Sequence, residues 1–125
     1  MAGELVLVVE DNDLNMKLFR DVLQATGYRT LEATSGEDAL ELVAEHAPDL
    51  VLMDSQLPGI DGFETLRRLR EDARTAPTQV VALTAQAMAG DRERFLDGGF
   101  DGYISKPIDV PEFIGAVRRY CGAGA

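Results

Sequence analysis

Five short apolar runs recur along the chain at near-even spacing, and a stretch of helical periodicity follows each one. The runs are LVLVV (5–9), YRTLEA (28–33), DLVLMD (49–54), QVVALT (79–84) and GYISK (102–106). The first and third are apolar on both faces, as strands buried on both sides of a parallel sheet must be. Parallel neighbours need a crossover, and a right-handed crossover through a helix packs that helix back onto the sheet. Five strand–helix units therefore predict a (βα)5 doubly wound α/β domain with helices on both faces.

The helical stretches carry their own punctuation. The first is expected from about Leu14 to Thr26, with Asp13 as its cap, Gly27 as its stop, and Phe19, Val22, Leu23 and Thr26 facing inward. The second opens on SGED, where Ser35 and Asp38 resemble a capping box, and turns Ala39, Leu40, Val43 and Ala44 inward. The third is expected from Phe63 to Asp72 with Leu66 and Leu69 buried. The fourth runs from near Met88 to Asp97 before a Gly-Gly pair, and the last from Val110 to Cys121 on Phe113, Ile114 and Val117. Leu14, Met16 and Leu18 widen the apolar arc of the first helix beyond one core face, which predicts an exposed apolar edge there.

Size and charge narrow the function classes. A chain of 125 residues, 46% of them hydrophobic, is expected to form one domain over 1–125 with no attached output domain. No stretch approaches the ~20 apolar residues of a membrane span, and the start lacks the basic residues and cleavage site of a signal peptide. One cysteine, Cys121, allows no internal disulfide, which suits a reducing cytoplasm. A net charge of −10 argues against non-specific nucleic-acid binding and permits cations and basic protein surfaces as partners. Only two of the twelve bases, Lys17 and Lys106, are lysines.

In a doubly wound sheet, binding occurs beyond the carboxyl ends of the strands. There the sequence puts Glu10 and Asp11 after the first run, Asp54 ending the third, Thr84 ending the fourth, and Lys106 ending the fifth. Three carboxylates held close repel one another, and a divalent cation relieves the repulsion. Hard oxygen donors suit Mg²⁺, and the absence of nearby cysteine or a second histidine argues against zinc. A carboxylate beside Mg²⁺ can act as a nucleophile toward a phosphoryl group, whose charge an ammonium and a hydroxyl would meet. The blander readings are a cap for Asp13, turn chemistry for Asp61, a helix-end surface residue for His46, and packing for Cys121.

VEDN (9–12), LMDSQLPGIDG (52–62), ALTA (82–85) and YISKP (103–107), in this order, resemble the response-regulator receiver domain of two-component signalling over essentially the whole chain. VEDNDLNMKLF with SKPI resembles the stand-alone, DivK-like type within that family; receiver modules of hybrid histidine kinases look similar. The resemblance implies a flavodoxin-like strand order 2-1-3-4-5. It implies Asp54 as phosphoacceptor, Mg²⁺ held by Glu10, Asp11, Asp54 and the Gln56 carbonyl, and Thr84 and Lys106 on the phosphoryl group. It further implies a cis Lys106–Pro107 bond, Tyr103 as an aromatic switch, and donor docking on Leu14 and Leu18. The expected partners are a sensor histidine kinase or histidine phosphotransfer protein and a downstream protein target. Ser55 and Leu57 depart from the commonest family residues without removing a ligand. Gln56 and Gln86 flank the expected path of hydrolytic water and are expected to set phosphoryl lifetime; unchanged decay in Gln56→Ala and Gln86→Ala would remove that idea.

Three other readings remain open at this level. The chain could be a receiver excised from a hybrid kinase. It could be a small Mg²⁺-dependent phosphatase with an aspartyl nucleophile, although Gln56 stands where such enzymes place a second acid. It could be a flavin module, although no Ser/Thr/Gly phosphate loop follows the first strand.

Overall fold

A computed structural model describes residues 3–55, 57, 59–85 and 91–121. The elements alternate along the chain as β1 (Leu5–Val9), α1 (Asp13–Ala25), β2 (Arg29–Ala33), α2 (Gly36–His46), β3 (Leu50–Asp54), α3 (Gly62–Glu71), β4 (Val80–Thr84), α4 (Asp91–Asp97), β5 (Gly102–Ser105) and α5 (Val110–Tyr120). The five strands pair in parallel in the order β2-β1-β3-β4-β5. The predicted doubly wound architecture and strand order are both present.

The period-2 alternation of each strand divides the core into two layers. Leu7, Val9, Val51, Met53, Val80 and Ala82 face α2, α3 and α4, where Ala39, Val43, Leu66, Leu69 and Phe95 meet them. Val6, Val8, Leu50, Leu52, Val81 and Leu83 face α1 and α5, packing on Met16, Phe19, Leu23, Phe113 and Val117. Every residue of β3 and β4 is buried, whereas β2, at the sheet edge, is largely half-buried or exposed. A central strand must be apolar on both faces, and an edge strand need not be.

Several sequence expectations change in detail. Asn12, not Asp13, caps α1: its backbone is extended and its Oδ1 accepts from the Asn15 amide at 3.0 Å. Asp13 is the first helical residue, where its charge favours the positive end of the helix. Asp61, expected only to shape a turn, caps α3 by accepting from the Glu64 amide at 2.9 Å. Ser35 caps α2 as expected, accepting from the Asp38 amide. Ala44 is exposed, because α2 lies on the sheet through Gly36, Ala39 and Val43. Met16 is buried, so only Leu14 and Leu18 form the exposed edge of α1. The expected start of the fourth helix, near Met88, lies outside the described residues. Gly27 does end α1, in the left-handed region at φ 98°.

Gly62 has a sharper role. A Cβ there would lie 2.8 Å from the Asp54 carbonyl oxygen and 3.2 Å from the Ser55 Cα. The first turn of α3 therefore rests directly on the end of β3. At the opposite edge of the sheet, the Arg70 guanidinium donates to the carbonyls of Ala76 and Thr78 and to the Asp101 carboxylate, tying α3 to both flanking loops.

Candidate functional site

The carboxyl ends of β1, β3 and β4 bring side chains from distant positions to one sheet edge. Glu10 follows β1 and is 1% exposed; its amide donates to the Ala33 carbonyl at 3.0 Å, which keeps the chain in register past the strand. Asp54 is the last residue of β3 and is 6% exposed, and Thr84, the last of β4, is also buried. Asp11 is exposed at the mouth. Lys106 follows β5, and its amide donates to the Thr84 carbonyl at 2.7 Å. The Lys106–Pro107 peptide is cis, as the resemblance implied.

The Lys106 ammonium ties the group together. Its Nζ lies 3.0 Å from Glu10 Oε1 and 3.2 Å from Asp54 Oδ2. The Asn12 amide donates to the other Glu10 oxygen at 3.2 Å. Burial pushes the Glu10 carboxyl above its ordinary value; the Lys106 hydrogen bond opposes that rise, and the hydrogen bond and charge of Asp54 add to it. For Lys106, burial works downward, but the Glu10 hydrogen bond and the two carboxylate charges outweigh it and raise the ammonium. Among the described residues, three carboxylates gather here around the Lys106 ammonium.

Glu10, Asp11 and Asp54 each offer one oxygen, and these atoms lie within 4.8 Å of one another. An all-carboxylate donor set of this kind suits a hard divalent cation. Gln56, expected to add a carbonyl, and Gln86, expected to flank the water path, lie outside the described residues.

Sequence reasoning missed two features. One is the Asn12 amide on Glu10, a bond set by the backbone turn that follows β1. The other is the pairing of Lys106 with Glu10, 96 positions away: strand-end placement sends both to one edge, but the packed fold decides which oxygen the ammonium bonds. A groove of about 300 Å³ also adjoins Lys106, walled by Leu18, Phe19, Ala85, Pro107 and Ile108. Leu14 and Leu18, 79% and 42% exposed, lie on the same helix. Tyr103 is half-buried, its ring stacked on Phe95 with centroids 6.1 Å apart. His46 sits exposed in the last turn of α2, at the far end of the sheet, 3.7 Å from the Glu45 carboxylate. Cys121 is half-buried against α5 and the sheet, and burial pushes its thiol up to about 12.

Comparison with known proteins gives a consistent result. The model of the family described as response regulator receiver domain matches residues 6–118. The polar-differentiation response regulator DivK of Brucella ovis is 52% identical over 117 residues, covering 94% of this chain and 95% of that protein. The receiver domain of a sensor histidine kinase from Pseudomonas aeruginosa, solved with a magnesium ion coordinated in its active-site cleft, superposes with TM-score 0.88 at 34% identity, covering 97% of this chain and 99% of that one. A co-crystal of the Saccharomyces cerevisiae histidine phosphotransfer signalling protein Ypd1 with the receiver domain of its downstream response regulator Ssk1 contains a chain that matches with TM-score 0.88 and 26% identity, over 99% of this chain and 92% of that one.

Proposed function

This chain belongs to the response-regulator receiver family, and from that premise we propose that it takes a phosphoryl group from a phosphohistidine onto Asp54 and signals through protein contacts that depend on the modification. The observation that carries this is the buried Asp54 carboxylate, paired with Lys106 and grouped with Glu10 and Asp11 at the strand ends.

The residues divide the work. An Asp54 carboxylate oxygen forms the new bond to phosphorus as the bond from phosphorus to the donor imidazole nitrogen breaks, and the imidazole leaves with that electron pair. Lys106, already 3.2 Å from Asp54, meets the charge on the transferred phosphoryl. Thr84, on the neighbouring strand, offers its hydroxyl to the same oxygens. Glu10, Asp11 and Asp54, with the Gln56 carbonyl, are the residues that would hold Mg²⁺. When bound, that ion supplies the positive charge that three carboxylates and a phosphoryl group require. The 4.8 Å grouping of hard oxygens supports this assignment.

The donor is a sensor kinase or a histidine phosphotransfer protein, docking on the exposed Leu14–Leu18 edge of α1 and the adjoining groove. Exposed apolar side chains beside a groove suit such a contact. Phosphorylation adds charge at a cation site and biases Thr84 and Tyr103, which pass the change to the face formed by α4, β5 and α5. A downstream protein reads that face. We further propose that the chain works as a stand-alone receiver in the cytoplasm. The near-complete coverage of the DivK relative supports the first point. Among the described residues, no helix is long and apolar enough to cross a membrane.

The test is intact-mass measurement after incubation with acetyl phosphate and Mg²⁺. The mass should rise by one PO₃ unit, and Asp54→Asn should abolish the rise. A wild-type mass that never changes, whatever the donor, overturns the assignment.

A further inference from the structure

Phe63 is the side chain through which the first turn of α3 meets α4. It follows Gly62, whose close approach to the Asp54 carbonyl and Ser55 Cα seats α3 on the phosphoacceptor strand end. The Phe63 ring stacks on Phe95 of α4 with centroids 5.4 Å apart and planes 5° from parallel. The Arg94 guanidinium lies over both rings, 5.4 Å from Phe63 and 5.1 Å from Phe95. Gly98 leaves room for the ring: a Cβ there would come 2.8 Å from two Phe63 carbons. Phe95 in turn stacks on Tyr103 of β5, at 6.1 Å and 25°.

A row of rings in crystal-like packing is not a soft filler. Each ring has a preferred offset against the next, so tilting one requires its neighbours to re-seat. The guanidinium over two rings adds an electrostatic preference for the aligned arrangement. Aliphatic side chains would fill this volume without linking the tilt of one element to another. The phosphoryl-transfer chemistry at Asp54 makes no use of the row, which nonetheless runs from the backbone beside Asp54 to Tyr103.

We propose that Phe63, clamped by Arg94 against Phe95, is a positioning residue that carries the state of the Asp54 strand end across α4 to Tyr103, in parallel with Thr84. The proposal rests on Asp54 being the phosphoacceptor. Coupling between two sites needs an element that both sites bias, and the proposal assigns that part to α4 with its ring row.

The experiment reads the Tyr103 ring signal by NMR, assigned with Tyr103→Phe, before and after treatment with acetyl phosphate and Mg²⁺. Intact mass on the same samples gives the phosphorylated fraction. In Phe63→Leu, and in the exposed Arg94→Met, Asp54 should be modified to the wild-type extent while the Tyr103 shift per phosphorylated molecule falls at least twofold. Leu23→Val, a core change on the opposite face of the sheet, should leave that shift intact. A full-sized shift in Phe63→Leu overturns the proposal, as does one in Arg94→Met should Phe63→Leu not fold. An equal loss in Leu23→Val also overturns it, since general loosening would then explain the effect. A wild-type chain that gains no mass overturns the phosphoacceptor assignment itself, and this proposal with it.

Discussion

Replacing Lys106 by methionine removes an ammonium that touches both Glu10 and Asp54, and its consequences can be worked from the distances. At an effective dielectric of about 20, unit charges 3 Å apart attract by roughly 5 kcal/mol, and Lys106 makes two such pairs. Most of that gross attraction is offset, because the lysine is rehydrated when the chain unfolds. Removing one partner of a buried pair typically costs about 3–5 kcal/mol. Lys106 keeps 16% of its side chain exposed, and water in the cleft screens part of the loss. The expected cost at pH 7.5 in EDTA is therefore at the low end, about 3 kcal/mol. For a chain of this size that corresponds to a fall in Tm of roughly 12 °C.

Two further consequences follow from the same charges. First, Mg²⁺ replaces the missing positive charge, so at 10 mM it should stabilise Lys106→Met by at least 1 kcal/mol more than it stabilises wild type; a ligand at about 100 times its Kd adds about 2.7 kcal/mol. Second, the Glu10 carboxyl is already raised by burial, and losing the Lys106 hydrogen bond that opposes this raises it further. A carboxyl raised in the folded state holds its proton more tightly there than in the unfolded chain. Stability is then gained as pH falls through the folded value toward the unfolded one near 4.5, so the deficit of the variant should narrow at pH 5. Urea melts with and without Mg²⁺ at pH 7.5 and 5 measure all three quantities. A variant within ~0.5 kcal/mol of wild type in EDTA, or equal Mg²⁺ stabilisation of the two proteins, refutes the reasoning.

Leu14→Asp and Leu18→Asp should each slow transfer from a phosphorylated histidine donor about tenfold, equivalent to ~1.4 kcal/mol, while phosphorylation by acetyl phosphate stays at the wild-type rate; slowing of both reactions alike would point to damage at the site. Gly62→Ala forces α3 away from the Asp54 carbonyl, so urea melts should show a loss of about 1–3 kcal/mol and acetyl phosphate labelling should slow. The Cys121 thiol, raised to about 12 by burial and then by the charges of Glu4 and Asp49, should react with iodoacetamide at pH 8 at least tenfold more slowly in the native protein than in urea. Because that value is raised, the associated stability is present below about pH 9 and is lost as pH climbs toward 12, which an alkaline melt series would record.

Much of this molecule is written locally. Strand patterns such as LVLVV and LVLMD specify burial on both faces, and the Ser35 cap and Gly27 stop mark helix ends through chemistry within a few residues. Five strand–helix alternations with one handedness of crossover leave few topologies, and the positions of Glu10, Asp11, Asp54, Thr84 and Lys106 at strand ends send them to one sheet edge. The motif order then identifies the family.

Tertiary structure decided what depends on distance and direction. Capping by Asn12 rather than Asp13 turns on which side chain reaches the Asn15 amide, and both residue types are good caps. Helical spacing could not say that Met16 is buried while Leu14 and Leu18 are exposed, because that depends on where α1 sits on the sheet. The bond from Lys106 to Glu10, the seating of α3 on the Asp54 backbone through Gly62, and the ring row from Phe63 to Tyr103 join residues that sequence leaves far apart. Periodicity fixes which face a residue takes; only the packed fold fixes what it meets there.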